Sequence, residues 1–133
     1  MVLLILLVLA LFVLQTLLPG RFREPVADGA SGKLAENLGN HDHMRPLTVV
    51  GQRATRALAN MHEALPVFLA LALLNMIVDT AASAAITGAT IFLIARVLYV
   101  GVYMAGIAVV RTLIWVVSWV GLAMMIAPLL GKI

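Results

Sequence analysis

Long apolar stretches interrupted by a few short polar ones set the plan of this chain. Val2 to Leu18 carries no charge, and neither does Thr112 to Gly131. Each is long enough, or nearly so, to cross a hydrocarbon core that takes about 17 to 25 helical residues. Between Ala81 and Gly131 the only charges are Arg96 and Arg111. At about 1.5 Å per residue that stretch overshoots a core about 30 Å thick more than twofold, so two helices must share it. Gly101 and Gly106 bracket a helix end and Arg111 opens the next apolar run, which places the turn near Gly106. The pattern predicts four membrane-spanning helices over about residues 2–18, 48–78, 81–104 and 109–130.

The second helix is too long to lie wholly in lipid. Its first two turns are expected to project into the interface, or the helix to tilt, which brings Arg53 and Arg56 near headgroup depth. Pro66 removes one backbone donor inside this helix and predicts a kink that can shape a pocket just above Glu63. The stretch 19–47 is a polar loop with basic side chains at Arg21, Arg23, Lys33 and Arg45. The positive-inside rule makes that loop cytoplasmic and puts both termini outside. The N-terminal run lacks a basic n-region and exceeds a typical h-region, so it reads as a mature helix and not as a cleaved signal peptide.

Composition agrees with this plan. Of 133 residues, 63% are hydrophobic and 11% charged, against the roughly 25% charged usual in soluble domains, so the chain is one all-α integral membrane domain. The net charge of +3 resides in the loop and at helix ends without interleaved aromatics, which argues against nucleic acid as a partner. Cysteine is absent. That rules out disulfides, thiolate metal sites and a cysteine nucleophile, so any thiol chemistry must use a ligand's sulfur.

Within this oily chain Arg53, Arg56, Asn60 and Glu63 are spaced by three, four and three residues and share one face of the second helix. Ionisable groups at membrane depth cost roughly 2.5 to 3.5 kcal/mol each on insertion scales, and so pair, meet water or bind a ligand. Arg96, Tyr99 and Tyr103 form a matching stripe on the third helix, and Arg111 follows the turn. If the two faces meet, guanidinium groups, a carboxylate, an amide and two phenols converge at one level. Guanidinium forks bind carboxylates, Glu63 can hold an ammonium, and Asn60 both donates and accepts, so a small zwitterionic di-acid fits. An arginine beside a bound thiol favours the thiolate, whose ordinary pKa is about 8.5.

The segment GQRATRALANMHEALPVF, from Gly51 to Phe68, resembles the second-helix signature of the MAPEG family through Arg56, Ala57, Asn60 and Glu63. The run from Ala95 through Arg96, Tyr99, Tyr103 and Gly106 to Leu113 is similar to the third-helix and turn pattern of bacterial members. Gly39-Asn40-His41-Asp42 resembles their loop before the second helix. The acronym stands for membrane-associated proteins in eicosanoid and glutathione metabolism. The resemblance implies a homotrimer of four-helix subunits in a bacterial inner (cytoplasmic) membrane, with glutathione as co-substrate bound between subunits. It implies that Arg56, Asn60, Glu63, Tyr99 and Tyr103 line the glutathione site, with Arg53 and Arg96 as further candidates, and that Arg111 activates the thiol. Arg111 stands eight residues after Tyr103 where the eukaryotic leukotriene-synthase pattern has seven. Ala64 replaces a tyrosine of that pattern, and Leu58 a polar residue.

Other residues have plainer readings. His41 and His43 flank Asp42 in the loop, yet without further ligands nearby they read as solvated, and no metal is expected. His62 lies roughly opposite the polar stripe and reads as a packing or interfacial residue. Asp79 is placed at the outer end of the second helix. Trp115 and Trp119 read as packing or bilayer anchors, and Ala81 to Ala85 as small residues that permit close helix approach. Three function classes are weighed: a glutathione-dependent transferase or peroxidase acting on a lipophilic partner from the bilayer, a noncatalytic membrane protein that binds a small anion, and a small transporter. No inverted repeat or broken-helix pair supports the last.

Overall fold

The computed structural model describes residues 1–25, 45–78 and 83–132. They form four helices, α1 (Val2–Arg21), α2 (Val49–Ile77), α3 (Ser83–Ala105) and α4 (Ala108–Leu130). All four are long and apolar enough to cross a membrane. The loop residues Lys33, Gly39, Asn40, His41, Asp42 and His43, together with Asp79, Ala81 and Ala82, lie outside the described residues.

The largest departure from the expected boundaries is at the end of α1. The hydrophobic pattern ends this helix at about residue 18 and begins the loop at Pro19, yet the helix continues to Arg21 and closes where the Phe22 amide donates to the Pro19 carbonyl at 3.2 Å. A proline removes only its own backbone donor, so one in the last turn can be carried. The entry to α2 is built against that exit. Thr48 caps α2 by accepting from the Gly51 amide at 3.2 Å, while its hydroxyl and its own amide both donate to the Phe22 carbonyl at 2.9 Å. A Cβ at Gly51 would stand 2.5 Å from that carbonyl, so only glycine lets the two ends meet. Arg23 donates to the Arg45 carbonyl at 2.5 Å and Arg45 to the Glu24 carbonyl.

From Thr48 onward α2 runs through Pro66 without interruption, with the proline exposed. Its inner stripe, Ala54, Ala57, Met61, Ala64, Leu65, Phe68, Ala72 and Asn75, repeats every three or four residues and faces the other helices. All four helices meet in one apolar cluster that includes Val8, Met61, Phe68, Phe92 and Leu122. Phe68 and Phe92 stack there, with centroids 4.8 Å apart. The Asn75 amide donates to the Leu71 and Met125 carbonyls at 2.8 and 2.9 Å, tying α2 to α4.

Helices α3 and α4 form the closest pair. A Cβ at Gly88 would lie 2.4 Å from the Gly121 carbonyl, and one at Gly121 would lie 2.7 Å from the Gly88 carbonyl, so the two backbones touch where neither side has a side chain. This contact is one turn beyond Ala85, which is the buried one among the described residues of the small-residue run. The turn joining the pair is a Schellman closure: Ile107 donates to Val102 at 3.3 Å, Gly106 to Tyr103 at 3.1 Å, and Gly106 takes φ 82°. The expectation of a turn near Gly106 thus has a backbone reason, since a left-handed residue at this position favours glycine.

Candidate functional site

Arg96 is the pivot of the polar stripe on α3. It is 1% exposed, the largest side chain so deeply buried. Its Nη1 donates to Asn60 Oδ1 on α2 at 2.6 Å, and its Cζ lies 5.1 Å from the Phe92 ring centre and 5.6 Å from that of Tyr99. Nε and Nη2 are buried with no hydrogen-bond partner, and no carboxylate pairs with the group among the described residues. Two aromatic faces offset part of the cost of burying this charge, about 2 kcal/mol or more each in a desolvated setting. An uncompensated buried charge costs more, several kcal/mol, so the site favours an added anion.

The same bond decides what Asn60 offers. Arginine only donates, so the amide must turn its oxygen to Arg96, which leaves the Asn60 N–H groups for whatever sits beside them. Beside them is a pocket of about 270 Å³ lined by Asn60 from α2, Tyr99 and Tyr103 from α3, and Arg111, Thr112 and Trp115 from α4. Tyr99 and Tyr103 meet edge to face, with centroids 5.4 Å apart. The Arg111 guanidinium lies over the Tyr103 ring at 4.6 Å. The lining thus holds one cation, two phenols and an amide, with no carboxylate, and a second cation stands behind it.

Asn60, Tyr99, Tyr103 and Arg111 are therefore brought together, and Arg96 buttresses them from the core. The remaining predicted residues are placed differently. Arg53 donates to the Met104 carbonyl at 3.2 Å, and its guanidinium lies where a Cβ on Gly106 would be, 2.5 Å away. There it caps the end of α3, where an unpaired carbonyl and the negative end of the helix dipole favour a cation. Arg56 and Glu63 are exposed on α2 and line no wall of this pocket. Glu63 is still within electrostatic reach of Arg96 and Tyr99. Ala64 is 1% exposed in the apolar core. His62 packs edge-on to Phe12 at 4.9 Å, with Nδ1 3.0 Å from the Leu58 carbonyl.

Two lining residues escaped sequence reasoning. Trp115 reads in sequence as an anchor, paired with Trp119, but it closes one side of the pocket. Thr112 is unremarkable as a letter, and its hydroxyl bonds the Ala108 carbonyl at 3.2 Å. The available signal was position: Trp115 is one helical turn after Arg111 and shares its face.

Comparison with known proteins returned one finding. The model of the MAPEG family matches residues 1–131. No individual curated protein and no solved structure gave a significant match.

Proposed function

Because the chain belongs to the MAPEG family of integral membrane proteins, we propose that it binds glutathione in the pocket beside Arg111 and transfers its thiolate to a lipophilic electrophile or hydroperoxide from the bilayer. The observation that carries this reading is the Arg111 guanidinium over Tyr103, at a pocket that Asn60 and Tyr99 share, with Asn60 held from behind by buried Arg96. The Arg111 guanidinium and an amide turned to donate suit a carboxylate of a small peptide, and the positive charge of Arg96 behind them adds to the attraction. At about 270 Å³ the pocket is just below the usual range for ligand sites, about 300 to 1,000 Å³. A wall from a second copy would complete it and would bring exposed Arg56 and Glu63 to bear. We assign the working form as a homotrimer in the bacterial cytoplasmic membrane, with both termini outside.

In this mechanism Arg111 stabilises the sulfur anion once the thiol gives its proton to water. The thiolate then attacks carbon and displaces a leaving group, or attacks the outer peroxide oxygen and releases an alkoxide that takes up a proton. In the peroxide branch a second glutathione reduces the oxidised sulfur to the disulfide. Positioning by Asn60, Tyr99 and Tyr103 removes orientational freedom before the step.

Calorimetric titration of glutathione into the detergent-purified protein, with ultraviolet absorbance of the thiolate, tests the reading. Binding with thiolate formation supports a transferase. Binding without it reduces the protein to a ligand-binding role, and no binding removes glutathione from the site. Arg111→Ala is expected to lower turnover about 100-fold, the scale of a lost oxyanion donor, while glutathione affinity changes far less. Equal loss of both would remove the activating role from Arg111.

A further inference from the structure

Tyr103 and Arg111, the phenol and the cation that meet in the pocket, hang on either side of one turn. Tyr103 is in the last turn of α3, and Arg111 is the fourth residue of α4, where its amide donates to the Ile107 carbonyl at 3.1 Å. Whether the guanidinium lies over the Tyr103 ring therefore depends on the angle at which Gly106 and Ile107 turn the chain. Little in the turn itself fixes that angle. Its backbone hydrogen bonds close the end of α3 and reach no further than Ile107. Ile107 offers no side-chain cap to α4, whose first turn has no acidic residue, and glycine is the most permissive residue for the backbone. Among the described residues, the one side chain that bonds residues 104–107 comes from elsewhere, from Arg53 on α2.

Arg53 holds the turn in two ways. Its Nη1 donates to the Met104 carbonyl at 3.2 Å, and its guanidinium lies across the open side of Gly106. A Cβ built there would stand 2.5, 2.6 and 2.7 Å from Nη1, Cζ and Nη2, nearly equidistant from all three, so the plane of the group covers the α-carbon. Gly106 is thus required twice. Its φ of 82° would still admit asparagine, the other residue common at this position of a helix end, but any side chain there must displace the guanidinium. Arg53 is also in register with the pocket. It precedes Asn60 by seven residues, two turns on the same face of α2. One helix therefore presents the amide to the ligand and, about 10 Å away along its axis, braces the turn that carries Tyr103 and Arg111. The start of that helix is itself fixed, by Thr48 and Gly51 against the Phe22 carbonyl.

We propose that Arg53 is a positioning residue of the thiol site: it locks the α3–α4 turn against α2 and so keeps the Arg111 guanidinium over Tyr103, aimed at the sulfur of the bound peptide. This role rests on the glutathione reading of the pocket. Arg53 lines no wall of that pocket, so it acts through Arg111 and not on the ligand. Without it the first turn of α4 is free to swing about Gly106, and the distance from Arg111 to the sulfur spreads over a range. The attraction between the two charges falls with distance and is weakened further where water enters between them. The bound thiol then ionises less readily, while the contacts from Asn60 and Tyr99 that hold the peptide persist. A displacement of about 1 Å caused by a remote change can cost about 100-fold in rate.

The test reads the pKa of the bound glutathione thiol in the full-length detergent-purified protein, from thiolate absorbance against pH. Affinity is measured by calorimetry at about pH 5.5, about three units below the ordinary thiol pKa of about 8.5, where contacts to the neutral thiol form dominate. Arg53→Gln is expected to raise the bound pKa by about one unit, a tenfold loss of thiolate below it, with affinity within about twofold. Arg53→Lys keeps the charge and the donor and recovers most of the shift. Gly106→Asn keeps the left-handed turn and the charge of Arg53 but displaces its guanidinium, and is expected to raise the pKa as far as Arg53→Gln does, with the double variant no worse than either. Asn75→Leu cuts a hydrogen bond between α2 and α4 at the other end of the bundle. It is expected to lower the unfolding midpoint and leave the pKa in place, which separates positioning from general loosening. An unchanged pKa in Arg53→Gln, or an equal shift in Asn75→Leu, overturns the proposal. A shift in Arg53→Gln with none in Gly106→Asn makes Arg53 a distant charge and not a brace, and a large fall in affinity makes it a ligand contact. Either result ends the proposal while the glutathione reading stands, whereas no thiolate in the unaltered protein ends both.

Discussion

Helices α3 and α4 meet with backbone on backbone at Gly88 and Gly121, whereas α1, the most apolar of the four, meets α3 across an open apolar groove. The contrast shows what holds a bundle together when the solvent is oil. Lipid tails are as apolar as leucine, so burying one more leucine gains little, and close fit of small residues with a few interhelical hydrogen bonds carries the association. The α3–α4 pair has the glycines and a two-residue turn. Helix α1 has a row of leucines, and is moored at its C-terminal end by the Phe22 carbonyl, which serves both Thr48 donors.

The sharpest way to break the contrast is Gly121→Leu. The new side chain has no room beside the Gly88 carbonyl and the Phe92 amide, and a loss of about 3 kcal/mol or more is expected, at the upper end for overpacking. Thermal unfolding in detergent checks it, and an unchanged midpoint would mean that the helices can separate at no cost. Next is Arg53→Gln, which strips the cation from the end of α3. About 1 to 2 kcal/mol is expected for a charge-assisted bond to the Met104 carbonyl. Glutathione affinity should stay within about twofold, since Arg53 lines no wall of the pocket; that bound corresponds to less than 0.5 kcal/mol. A large fall in affinity with unchanged stability would return Arg53 to the ligand. Smallest, and opposite in sign, is Gly101→Ala. Its methyl meets open space, so the helix gains about 0.5 to 1 kcal/mol. The unfolding midpoint should therefore rise slightly where Gly121→Leu lowers it, and a fall would mean that the α1–α3 groove is closed tightly in the folded protein.

Much of the site was legible before any fold was drawn. The three-four-three spacing of Arg53, Arg56, Asn60 and Glu63 marks one helix face, and Arg96, Tyr99 and Tyr103 mark another, because a helix repeats every 3.6 residues. Spacing could not divide those faces by depth. Asn60 lies one turn from both Arg56 and Glu63, yet it bonds Arg96 while they remain exposed. Arg53 is on the same stripe but is taken by the α3 terminus, a partner 51 positions away in sequence. Gln15 offered no signal, being, with Thr16 beside it, an isolated polar pair in an apolar run.

The sequence by itself determined the number of crossings, the absence of thiol chemistry from the chain's own residues, the turn at Gly106 and the family. These follow from hydrophobic length, composition, local backbone preference and motif, all of which are written along the chain. Tertiary structure alone decided which polar residues share a pocket, that Arg96 is sealed behind it with two donors unpaired, and that a groove opens between α1 and α3. Those depend on where one helix crosses another, and crossing is set by the shapes of distant side chains in contact and not by any residue's neighbours in sequence.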